Sequence, residues 1–157
     1  MFRTKTALCL SLATLAAAGP ISAAEVTLTT ALKGYGGEGA YLAIYLTDAD
    51  GAYKGSLWLA GGKTKYWKHL SDWFRATGGS ATEVDGMTGA SVGSGGNLVV
   101  TVDVADALID AGYQIRMDTA VEDMPDRPAE IVVPLTRADA GTPVAGKGYV
   151  KSFQFDM

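Results

Sequence analysis

The 157-residue chain carries 13 Lys and Arg against 17 Asp and Glu, with one His, one Cys, 20 Gly and 48% apolar residues. That size and balance predict a single main domain and exclude a disulfide framework and the basic footprint of a nucleic-acid binder.

At the N-terminus, Arg3 and Lys5 precede an uncharged run from Thr6 to Ala18, then Gly19-Pro20 and a small-residue exit at Ser22-Ala23-Ala24. This is the pattern of a secretory signal peptide over residues 1–24, with cleavage after Ala23 or Ala24. Its apolar stretch is too short for a membrane-spanning helix and no other run of that length occurs. Residues 25–157 are therefore expected to form one soluble domain in the periplasm or otherwise outside the cytoplasm. Cys9 lies inside the signal with Leu8 before it, which argues against a lipoprotein and leaves the mature chain without cysteine. Removing Arg3 and Lys5 leaves 11 basic against 17 acidic side chains, a net charge of −6, which disfavours DNA, RNA and anionic lipid as partners. About 133 residues bury roughly two-thirds of the surface their unfolded chain exposes, enough for a core without cross-links.

Strand patterns dominate. Val26, Leu28, Thr30 and Leu32 alternate with Thr27, Thr29 and Ala31, and the glycine-rich residues 34–39 end that run. Strands follow at residues 41–47 and 53–59, joined by Asp48-Ala49-Asp50-Gly51, whose short side chains and Gly suit a hairpin turn. Between Thr64 and Ala76 the period changes: Tyr66, Trp67, Leu70, Trp73 and Phe74 fall at helical spacing, predicting one short amphipathic helix that ends at Gly78-Gly79. A loop rich in Gly, Ser and Thr runs to Gly96 before Leu98, Val100 and Val102 resume alternation. Further strands are read at residues 113–119, 131–135 and 149–155, with Pro125, Pro128, Pro134 and Pro143 marking turns or strand edges. Seven short strands and one helix predict an all-β, mainly antiparallel fold, an immunoglobulin-like β-sandwich, with a small barrel as the alternative.

Elimination narrows the chemistry. With no mature Cys and a single His69, neither a cysteine nucleophile nor a cysteine or multi-histidine zinc or haem site can be assembled. A Ser-His-Asp triad would need His69, which falls on the predicted helix, and no nucleophile-elbow pattern occurs. Gly62-Lys63-Thr64 lacks the first Gly of a phosphate loop, Leu57 standing there. Asp48, Asp50 and Gly51 begin like a calcium loop but lack its later acidic ligands. Glu122, Asp123 and Asp126 form an acidic, proline-flanked loop that reads as solvated, with a calcium site as the alternative. No catalytic or metal-ligating set is assigned.

One segment specifies a chemistry: Asp85-Gly86-Met87-Thr88-Gly89-Ala90-Ser91. It resembles the flavinylation motif of FMN-binding domains in bacterial membrane redox complexes, an Asp followed three residues on by Ser or Thr, then Gly-Ala and a final Thr or Ser. The resemblance implies that a magnesium-requiring, FAD-dependent flavin transferase esterifies FMN to Ser91, with Asp85, Thr88, Gly89 and Ala90 as the rest of the cofactor-binding segment. Phosphoester formation needs a hydroxyl on a thin stretch of chain, which Gly89-Ala90 provides, and Gly86, Gly93, Gly95 and Gly96 are expected to keep the loop pliable. Tyr66, Trp67, Trp73 and Phe74 offer stacking surface for a flavin ring, and Lys63, Lys65, Lys68 and Arg75 offer charge.

The resemblance extends further. Residues 41–50 with Gly51, then Leu57-Trp58-Leu59, residues 63–67, Leu70, Trp73, Arg75 and the motif itself are similar to DUF2271, a family of periplasmic proteins. The similarity covers about residues 25–120. It implies an exported, covalently FMN-bearing electron-transfer protein that works with a membrane redox protein as donor or acceptor, a carrier rather than a stand-alone enzyme. The alternative is a cofactor-free periplasmic binding module of the same fold.

Overall fold

Alternation of apolar and polar side chains gives each strand one face to bury, and two sheets meet on those faces. In the computed structural model, which describes residues 19–157, the strands are β1 (Ala23–Leu32), β2 (Tyr41–Thr47), β3 (Tyr53–Ala60), β4 (Thr88–Gly89), β5 (Asn97–Ala105), β6 (Gln114–Ala120), β7 (Arg127–Pro134) and β8 (Val150–Asp156). Most of the expected signal peptide, residues 1–18, lies outside the described residues. A three-stranded sheet in the order β5-β1-β8 packs on a five-stranded sheet in the order β4-β3-β2-β6-β7. Every pairing is antiparallel except β3 with β4. The expected all-β sandwich is present.

Val26 and Leu28 on β1 and Phe153 and Phe155 on β8 meet Leu42, Ile44, Ile115, Met117 and Ile131 of the larger sheet. Strand β2 departs from simple alternation, since every residue after Tyr41 is buried. Its other face carries Ala43 and Tyr45, which pack with Leu59, Trp67, Leu70, Trp73 and Val84 in a second apolar cluster. The central strand thus lies between two layers, as its near-continuous apolar sequence permits.

That second layer holds the expected helix, but in two pieces. A 3-10 turn spans Thr64–His69, Leu70 breaks the geometry at φ −84° and ψ 71°, and helix α1 runs Ser71–Thr77 before Gly78 ends it in the left-handed region. The reason is tertiary. Trp67 and Trp73 must both reach the cluster, where their rings meet edge to face at 5.7 Å, and the Trp67 indole N–H donates to the Gly61 carbonyl at 2.9 Å. Leu70 gives α1 no side-chain cap. Buried Asp118 of β6 takes that role instead, accepting the Trp73 amide at 2.8 Å, the Ala129 amide at 2.8 Å and the Tyr45 hydroxyl at 3.0 Å. Burial raises the Asp118 pKa above the usual carboxylate range, with the Ala129 and Trp73 amides opposing that shift.

The segment expected as loop up to Gly96 is also more ordered than its composition indicates. It contains a 3-10 turn at Ala81–Val84, whose Val84 joins the second cluster, and the two-residue strand β4.

Candidate functional site

Register assembles the site. Tyr41 pairs with Ala120, Leu42 with Ala60, and Ala60 with Gly89. The start of β2 and the ends of β3, β4 and β6 therefore lie at one end of the five-stranded sheet. The chain leaving each strand there supplies one side of a cleft of about 790 Å³, lined by Glu38, Gly39, Tyr41, Lys63, Tyr66, His69, Ser91 and residues 120–126.

The motif enters the cleft only at its last residue. After the 3-10 turn, Gly86 adopts φ 73°, which an L side chain resists, and the chain swings onto the free edge of β3. There the Leu59 amide donates to the Met87 carbonyl at 2.8 Å and the Gly61 amide to the Gly89 carbonyl at 2.9 Å. Gly89 passes over the Trp58 indole so closely that a Cβ would sit 2.8 Å from the ring. The Thr88 hydroxyl donates to the Val84 carbonyl at 3.0 Å. Asp85 is exposed, and neither Asp85 nor Thr88 lines the cleft. Ser91 does line it, is exposed, and follows exposed Ala90.

The expected pliability of this loop needs correction. Val92 and Ala40 exchange backbone hydrogen bonds of 2.9 and 2.6 Å, the Gly95 amide donates to the Lys33 carbonyl at 2.9 Å, and the Gly36 amide to the Ser94 hydroxyl at 2.9 Å. The glycine-rich stretch before β2 and the segment after Ser91 clasp each other. Gly86 and Gly95 are required for positive φ rather than for looseness. Gly39 leaves room for Ser91, since a Cβ at that position would lie 2.6 Å from the serine oxygen.

Of the aromatic residues expected as stacking surface, Tyr66 lines the cleft. Trp67 and Trp73 are core, and Phe74 packs against the same cluster. Tyr66 stands edge to face with Tyr41 at 5.5 Å, and its hydroxyl donates to a Glu122 carboxylate oxygen at 2.8 Å. The Tyr41 hydroxyl accepts the Lys63 amide at 3.3 Å. Of the basic residues, Lys63 lines the cleft and Lys65 lies over the Tyr66 ring at 4.6 Å, whereas Arg75 pairs with Asp72. His69 and Asp126 meet at 3.1 Å with both side chains well solvated, a geometry that contributes little to stability. The acidic loop with Glu122, Asp123 and Asp126, read as solvated, lines the same cleft. Gly39, Tyr41, Val121 and Met124 were not among the expected site residues, because no local pattern marks them.

The arrangement offers an exposed hydroxyl, an aromatic pair held at both phenol ends and a rim richer in carboxylates than in cations. These suit an aromatic or cationic group better than a free phosphate ligand, which a mostly acidic lining would repel.

The model of one protein family, described as "Predicted periplasmic protein (DUF2271)", matches residues 23–152. Comparison with curated proteins and with solved structures returned no match. No helix among the described residues is long and apolar enough to cross a membrane.

Proposed function

The chain belongs to the DUF2271 family of predicted periplasmic proteins, and from that premise we propose that it is an extracytoplasmic electron carrier bearing FMN as a phosphoester on Ser91. One observation carries this reading. Thr88 and Ser91 of Asp85-Gly86-Met87-Thr88-Gly89-Ala90-Ser91 are both exposed, but the Thr88 hydroxyl donates to a backbone carbonyl outside the cleft, whereas Ser91 lines the cleft beside Tyr41 and Tyr66.

Attachment joins the Ser91 oxygen to the flavin-side phosphorus of FAD. The pyrophosphate bond breaks, AMP leaves, and the hydroxyl proton passes to the transferase, which also holds the magnesium. A covalent ester makes an electrostatic phosphate site unnecessary, which suits a lining where Glu38, Glu122, Asp123 and Asp126 outnumber Lys63 and His69. Once attached, the flavin supplies one- and two-electron transfer. The protein's part is to fix the ester oxygen between two hydrogen-bonded stretches of backbone and to leave the rim open to a membrane redox protein.

Co-expression with a flavin transferase and magnesium is the test. The intact mass should rise by FMN less one water, the adduct should survive denaturation, and peptide mapping should place it on Ser91. An unchanged mass beside an active transferase rejects the reading. The acidic, tyrosine-lined cleft then favours a cofactor-free binding module for a cationic ligand.

A further inference from the structure

We infer that the cleft beside Ser91 is the seat of the flavin's three-ring head, with Tyr66 and Tyr41 as its aromatic wall. This rests on the reading of Ser91 as the attachment point. Three observations carry it.

The first is size and tether. The cleft, about 790 Å³, falls within the roughly 300–1,000 Å³ of sites that enclose a small organic ligand. Ser91 is itself part of its lining, so a group esterified there is delivered at an effective concentration that occupies even a weak site. The smaller hollow elsewhere, about 330 Å³ beside Tyr45, Asp72 and Arg116, does not include Ser91.

The second is preorganisation. Tyr66 is tied through its hydroxyl to Glu122, Tyr41 through its own to the Lys63 amide, and the rings meet edge to face at 5.5 Å. Side chains already fixed lose little freedom when a flat aromatic plate is placed against them. Val121 and Met124 add apolar surface.

The third is the charge of the wall. Glu38, Glu122, Asp123 and Asp126 line the cleft against Lys63 and His69, with the Lys65 ammonium over the Tyr66 ring as one further cation. A net negative surround disfavours added electrons on the ring, so the seated flavin is poised at a more negative midpoint potential than FMN in water.

The experiment uses the full exported protein loaded by a transferase. In the native state its flavin fluorescence should be quenched several-fold relative to the same protein denatured, and a visible circular-dichroism band should be induced. Tyr66→Leu should keep the FMN mass but recover most of the fluorescence and lose the band. Tyr66→Phe, which keeps the ring but loses the tie to Glu122, should retain the quenching and the band in weakened form, and Glu122→Gln should move the midpoint potential in the positive direction. A loaded, folded native protein whose flavin fluoresces like free FMN without induced dichroism overturns the seat and leaves the attachment standing. Absence of the FMN mass overturns the attachment and the seat together. Should Tyr66→Leu fail to fold, the native-against-denatured comparison still decides.

Discussion

The two halves of the motif are held differently. From Met87 to Gly89 the chain is held on the sheet: the Leu59 amide donates to the Met87 carbonyl, β4 adds to the edge of β3, the Thr88 hydroxyl is bound to the Val84 carbonyl, and Gly89 lies against Trp58. From Ala90 onward the chain leaves the sheet, and its next backbone contacts are those of Val92 with Ala40. Between these two anchors stands Ser91, exposed and facing the cleft. Both residues are exposed, but the Thr88 hydroxyl is engaged by its own chain, whereas Ser91 lines the cleft between two backbone anchors.

The largest expected effect breaks the comparison outright. Ser91→Ala should abolish FMN attachment, whereas Thr88→Val should leave the adduct on Ser91, as read by intact mass and peptide mapping. Equal loss in both variants would mean that the two halves act as one.

Next is the clasp. A hydrogen-bonded antiparallel pair such as Ala40 and Val92 has Cα atoms about 5.5 Å apart, within disulfide range, and the sole cysteine, Cys9, lies in the expected signal peptide. In the Ala40→Cys, Val92→Cys double variant the oxidised form should be loaded at nearly the rate of the reduced form, because Ser91 is already exposed on its frame. Loading several-fold slower in the oxidised form would show that a transferase must open the clasp to reach Ser91.

Two glycines sharpen the contrast in different observables. Gly89→Ala pushes a methyl into the Trp58 ring and should destabilise the fold by about 1–3 kcal/mol in denaturant titration. Gly39→Ala crowds only the exposed Ser91 side chain, so it should slow loading several-fold while changing stability by less than about 0.5 kcal/mol. Thr88→Val should cost about 1 kcal/mol, the net value of the hydrogen bond it removes.

The smallest effect concerns the layer behind the first half of the motif. The folded-state pKa of Asp118 lies above the ordinary value near 3.8, so the folded protein holds this proton more tightly than the unfolded chain. That contribution is fully present below the unfolded pKa and is lost as pH rises through the raised folded pKa. The stability of the native protein relative to Asp118→Asn, measured by denaturant titration, should therefore decline as pH is raised from about 4. A difference that grows with pH would contradict the desolvation argument.

Much of this was legible beforehand. Residues 41–47 were expected as a strand and are β2, the hairpin to β3 follows the Asp48 to Gly51 turn, and the aromatic segment from Thr64 forms a covering layer. The division of that segment at Leu70 was not legible, because the group that caps α1 is Asp118, tens of residues away. Nor was β4, whose two residues have no alternation to reveal them and form a strand only because the edge of β3 is free to accept them.

The alternating strands, the turn residues, the export pattern and the spacing from Asp85 to Ser91 are all readable along the chain, because each depends on local periodicity or on neighbouring residue types. Tertiary structure was needed to show that the Thr88 hydroxyl is engaged while Ser91 lines the cleft, that Trp67 and Trp73 are core while Tyr66 lines the cleft, and that residues 120–126 share that cleft with Ser91. The reason is register: Tyr41 meets Ala120, and Ala60 meets Gly89, through backbone hydrogen bonds that carry no side-chain signature. The cleft exists only where those pairings bring chain-distant ends together.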